Sequence, residues 1–169
     1  EQRLVGFGQR GRRADARFTL PSRLDDVAAL EAAVTADPRD ARAWALLGSW
    51  YYDKHRVEDA TEAWTVALSA TEGGVTESHL VALCHRNLAI AAYNARGDLA
   101  AALAHFDAAR AARPDDAKLL YEHDQLLTIA DRPAPERLER LEARRDLVDT
   151  RDDLSVELAG LLISVGRID

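Results

Sequence analysis

The spacing Trp44-x2-Leu47-Gly48-x2-Tyr51, followed by Ala60-x3-Trp64 and then Ala67, constrains this chain more than any other feature. At the helical period, Trp44, Leu47, Gly48 and Tyr51 fall on one stripe, and Ala60, Trp64 and Ala67 fall on another. Each stripe mixes very small residues with very large ones. Gly48 and Ala60 let two helix backbones cross closely, and Trp44, Leu47, Tyr51 and Trp64 fill the space around that crossing. The pattern therefore predicts an antiparallel helical hairpin, not a single amphipathic helix. Pro38 stands where a preceding element hands over to it.

The hairpin recurs. A second unit reads Asn87-Leu88-Ala89, Tyr93, Gly97, Ala102-x3-Phe106-x2-Ala109 and Pro114. Against a period of about 34 residues it carries one extra residue between Tyr93 and Gly97, and the link before it, over 71–78, is about seven residues longer. A third unit from Asp115 keeps Leu119, Leu120, Leu126 and Leu127 but loses the small crossing residues. A fourth is a first helix only, Leu158-Ala159-x2-Leu162 ending at Gly166, and a partial unit with Leu30, Ala33 and Pro38 precedes the first. Predicted helices cover 24–36, 40–53, 57–71, 77–95, 99–113, 116–131, 135–149 and 152–165. Asp37-Pro38, Arg113-Pro114, Gly97-Asp98 and Asp131-Arg132-Pro133 punctuate them, and Glu72-Gly73-Gly74 is the longest break. Asp98 is placed to cap the helix that follows it. Residues 1–22, with Gly6, Gly8, Gly11 and Pro21, show no helical period and read as a linker or extended arm.

On these residues the chain resembles the tetratricopeptide repeat family over about 24–166, with Trp64 where Phe is usual. The resemblance implies an all-α fold, a right-handed superhelix of antiparallel helical hairpins, with units near 24–39 (partial), 40–72, 77–114, 115–149 and 150–169 (partial). A narrower resemblance rests on Tyr52-Asp53-Lys54-His55-Arg56, on Arg86-Asn87-Leu88 to Tyr93-Asn94, and on Leu120-Tyr121-Glu122-His123-Asp124-Gln125-Leu126. These segments look like the repeat region of large bacterial multidomain proteins that carry a β-rich domain of unknown function, similar in fold to sugar-epimerase-like sandwiches. That implies a non-catalytic protein-interaction or scaffolding module, or else an accessory part of a carbohydrate-active enzyme contributing groove residues. The missing Met and the uncovered apolar face expected on 152–165 both suggest a segment of a longer chain.

Charge narrows the partners. The net charge of −7 and pI near 5.2 give no positive field for nucleic acid or anionic membrane. Residues 1–23 hold six Arg against two acids, but without aromatic interleaving. No apolar run approaches the ~18 residues of a membrane span. The single Cys84 fits a reducing, cytoplasmic setting.

In the family that this chain resembles, the first helix of each hairpin lines a concave groove. Carried onto this sequence, that face holds Arg42, Ala45, Ser49, Tyr52 and Asp53 in the first unit. The second supplies Leu83, Arg86, Asn87, Ile90, Tyr93 and Asn94, and the third Lys118, Tyr121, Glu122, Gln125 and Thr128. Aromatic faces among hydrogen-bonding groups suit a peptide, a protein segment or another domain of the same chain. Some family members clamp a terminal carboxylate. Asn87 and Lys118 match two of those positions, but Ala45, Ser49 and Glu122 depart from the rest, and Glu122 has the wrong charge for it. No cofactor is expected. Cys84, His85 and His79 lack metal-ligand spacing, so Cys84 reads as a small buried hydrophobe. No phosphate loop, nucleophile elbow or metalloprotease motif occurs, and none of these residues is a catalytic candidate. The acid pairs Asp25-Asp26, Asp115-Asp116 and Asp152-Asp153 read as helix starts. The uncovered face of the last helix offers a route to self-association of the segment, whose oligomeric state the sequence leaves open.

Overall fold

The structure, a computed structural model, describes residues 24–71 and 77–167. The arm expected at 1–22 and the break at Glu72-Gly73-Gly74 lie outside the described residues. Among them every element is helical: α1 (Leu24–Ala36), α2 (Ala41–Asp53), α3 (Val57–Thr71), α4 (Ser78–Arg96), α5 (Leu99–Ala112), α6 (Ala117–Ile129), α7 (Ala134–Glu142), α8 (Arg145–Val148) and α9 (Asp152–Ser164). The chain divides into two compact units, Glu1–Ala112 and Arg113–Asp169.

In the first unit, α2 pairs with α3 and α4 with α5, and α4 also packs on α2 and α3. The crossing of α2 and α3 is as tight as the small residues require. A Cβ at Gly48 would stand 2.5 Å from the Cδ1 and Nε1 atoms of Trp64. That indole is buried, and its Nε1 donates to the Ala45 carbonyl at 3.2 Å. Around it Ala60, Ala67, Leu80, Cys84, Leu88 and Ala91 form one core cluster, while Val27, Val34, Ala43 and Leu47 form another that seats α1. Trp44 Nε1 donates to the Pro38 carbonyl at 3.1 Å, which fixes the hand-over from α1 to α2.

Side chains and backbone share the work of ending these helices. Asp40 accepts from Ala43 N, Asp98 from Ala101 N, and Asp116 from Lys118 N and Leu119 N, each satisfying an otherwise orphaned first-turn donor. Just past α2, α4, α6 and α9 the chain enters the left-handed region, at His55 (φ 59), Gly97 (φ 64), Asp131 (φ 54) and Gly166 (φ 71). The four helices assigned as first members of hairpins thus share one stop signal, only half of it written in glycine.

In the second unit, α6, α7, α8 and α9 enclose Leu120, Leu138, Leu141, Leu147, Val148, Leu154, Leu158 and Leu161. The single helix expected over 135–149 is broken. Arg144 leaves helical geometry (φ −126, ψ 43) between α7 and α8. The break turns Leu147 and Val148 into the core and lets the Arg144 guanidinium reach the Pro114 carbonyl, Asp115 and Asp146. A continuous helix cannot make both sets of contacts; helical periodicity alone does not reveal the interruption.

Candidate functional site

On α2, Arg42, Ser49, Tyr52 and Asp53 recur at helical intervals, as do Leu83, Arg86, Asn87, Ile90, Tyr93 and Asn94 on the adjacent α4. The side chains join the two helices at both ends. Arg42 donates from Nε and Nη2 to the Glu77 carboxylate at 2.8 and 2.6 Å, a bidentate pair next to the start of α4. Near the other end, Asn94 Nδ2 lies 3.5 Å from the Tyr52 hydroxyl, while the Tyr52 ring leans on Trp64 with centroids 5.7 Å apart. Between them Leu83, Arg86, Asn87, Ile90 and Tyr93 are partly exposed, and Arg86 Nη1 is 3.4 Å from Asn87 Oδ1.

Three expected members behave otherwise. Ala45 is not on an open face: it is 1% exposed, enclosed with Trp64, Cys84 and Leu88 where α2 meets α3 and α4. Its small side chain serves the crossing, so that assignment is corrected. Ser49 spends its hydroxyl on the Ala45 carbonyl of its own helix, at 3.0 Å. Asp53 is exposed and paired with Lys54, whose hydrogen bond and charge hold its carboxyl below the ordinary range.

In the second unit, Lys118 and Glu122 pair along α6 at 3.9 Å, and Thr128 donates to the Asp124 carbonyl. The Arg151 guanidinium carbon lies 5.9 Å from the Tyr121 ring centroid. Gln125 Nε2 donates to Glu157 at 3.2 Å, and Glu157 leads to a group the sequence reading missed. Arg137 grips buried Asp124 through Nε and Nη2 and also donates to Glu157, tying α6, α7 and α9 together. Both carboxylates raise the Arg137 pKa, with the Asp124 hydrogen bond contributing most. The signal was present: Arg137 occupies the same stripe as Leu138 and Leu141, where a cation needs a buried partner. His123, also buried, has Nδ1 3.2 Å from Arg140 Nη2.

Cys84 is fully buried, and burial pushes its thiol up to about 12, far from thiolate reactivity. Among the described residues no group of three or more His, Cys, Asp or Glu side chains could hold a metal. No helix there is long and apolar enough to cross a membrane.

No protein-family model matches the sequence. Solved structures do resemble the fold. The MamA protein superposes with a TM-score of 0.64 at 16% identity, covering 98% of this chain and 82% of its own. YrrB, described as a tetratricopeptide protein with an unusual peptide-binding site, gives 0.60 at 16% identity over 86% of this chain and 70% of its own. The fold is a tetratricopeptide one. TTC0263, a tetratricopeptide protein of Thermus thermophilus, gives 0.53 at 19% identity over 84% of this chain and 74% of its own. At these identities the likeness is one of architecture, and the side chains on the α2–α4 face are this chain's own.

Proposed function

We propose that this chain is a non-catalytic docking module that binds a protein segment or peptide along the α2–α4 face, as a scaffolding part of a larger protein. The observation that carries the reading is the face itself. Tyr52, Arg86, Asn87, Tyr93 and Asn94 sit at helical intervals on two adjacent helices, partly or fully exposed, above a core that does not need their polar ends. Aromatic faces give an extended segment contact area, and amide and guanidinium groups match its backbone and acidic side chains. The tetratricopeptide fold supports it too, since YrrB is described by its peptide-binding site and Cut9 was solved as a complex with Hcn1. The equivalent α6 positions Lys118, Tyr121, Glu122 and Gln125 belong to the proposal as a second face.

Panning a displayed random-peptide library against the purified chain tests this. The expected result is a recurrent motif whose enrichment disappears when Arg86→Glu replaces the wild type while the helical signal stays unchanged. A library that yields no motif, or one retained equally by Arg86→Glu and Tyr52→Ala, contradicts the reading.

A further inference from the structure

The α4/α5 hairpin contains a contact that no docking role explains. His85 on α4 and His105 on α5 face each other with Nδ1 atoms 3.1 Å apart and ring centroids 5.3 Å apart. A near-linear N–H···N bond between two imidazoles gives about this centroid separation, one Nδ1 donating and the other accepting. Both rings are half-buried. The residues one turn to either side on their own helices are apolar, Val81, Ala82, Leu88 and Ala89 on α4 and only alanines on α5. From α3, the residues buried toward this core are Ala60, Ala63, Trp64 and Ala67. The acids of α3 are the exposed Glu58 and Glu62 and the partly exposed Asp59, which pairs with Arg56. The charged group acting on His105 is Arg96, another cation.

We propose that His85 and His105 form a proton-controlled clasp, closed by one shared Nδ1 proton and opened when both imidazoles become cationic. Proton bookkeeping gives two steps. In the neutral pair one ring carries its proton on Nδ1 and the other on Nε2. A first added proton goes to the free Nε2 of the donor ring and leaves the N–H···N bond intact. A second must go to the accepting Nδ1, which removes the acceptor and leaves two like charges in contact. The pair therefore titrates as a coupled unit. Burial lowers both histidines below their ordinary 6.5, helped at His85 by His105 and at His105 by Arg96. A histidine lowered by folding binds fewer protons in the folded state. Its contribution is complete above the ordinary value and is lost as pH falls from there through the folded value.

Amide hydrogen exchange on the purified chain, compared at about pH 7.5 and about pH 5 after correction for intrinsic rates, tests the clasp. Protection in α4 and α5 is expected to fall at least about tenfold more than protection in α1 and α6. In His105→Gln, which keeps a donor facing His85 but cannot become charged, that excess loss should shrink to less than about twofold. Equal acid loss in both proteins, or loss spread evenly along the chain, overturns the proposal. Nuclear magnetic resonance titration of the wild-type imidazoles stands independently of the variant. Coupled, low midpoints at His85 and His105 support the clasp; two independent ordinary titrations contradict it.

Discussion

At the scale of single residues, stability turns on how little room Gly48 leaves. A methyl there meets the buried Trp64 ring, which its hydrogen bond to Ala45 prevents from moving aside. Gly48→Ala should destabilise by about 1–3 kcal/mol despite alanine's better helix propensity. Trp64→Phe should cost about 1–3 kcal/mol through lost volume and hydrogen bond. In the double variant the smaller ring accepts the methyl, so the losses should fall short of additive by at least about 0.5 kcal/mol in urea denaturation. Full additivity would mean that the two positions do not touch. These positions were legible in advance because small–large alternation has few steric solutions. Ala45 was misplaced for the same physical reason in reverse: groove and crossing positions lie about one turn apart, and a small residue suits either.

At the scale of elements, helix stops and interhelical ties were harder to read. Gly97 announces its left-handed turn, whereas His55 and Asp131 adopt the same conformation without glycine. His55→Gly should relieve that strain and raise stability by about 0.5–1 kcal/mol, seen as a higher urea midpoint. No increase would show that the left-handed turn carries no cost there. The break at Arg144 was invisible to periodicity, and for the Asp124–Arg137–Glu157 tie periodicity puts Arg137 on the apolar stripe but does not say which carboxylates follow it inward. Removing the cation strands Asp124, which is 2% exposed. Arg137→Met should cost about 3–5 kcal/mol, and adding Asp124→Leu should recover a large part. If the double variant is no more stable than the single one by chemical denaturation, the buried charge is not the cause.

At the scale of the whole molecule, the repeat spacing was enough to anticipate an all-α chain of hairpins, and a tetratricopeptide fold is what the comparisons bear out. Which face does the work was less legible. Sequence spacing nominates residues, but only packing distinguishes Tyr52 and Asn94, whose polar ends meet above the core, from Ser49, whose hydroxyl is spent on its own helix. The central claim is that partners bind along α2 and α4. Chemical-shift mapping of a library-selected peptide on the isotope-labelled chain tests it most directly. Saturable shifts are expected to concentrate at Tyr52, Arg86, Asn87, Ile90, Tyr93 and Asn94, with α3 and the outer side of α5 quiet. Shifts centred on α3 or α5, or none at saturating peptide, would contradict it.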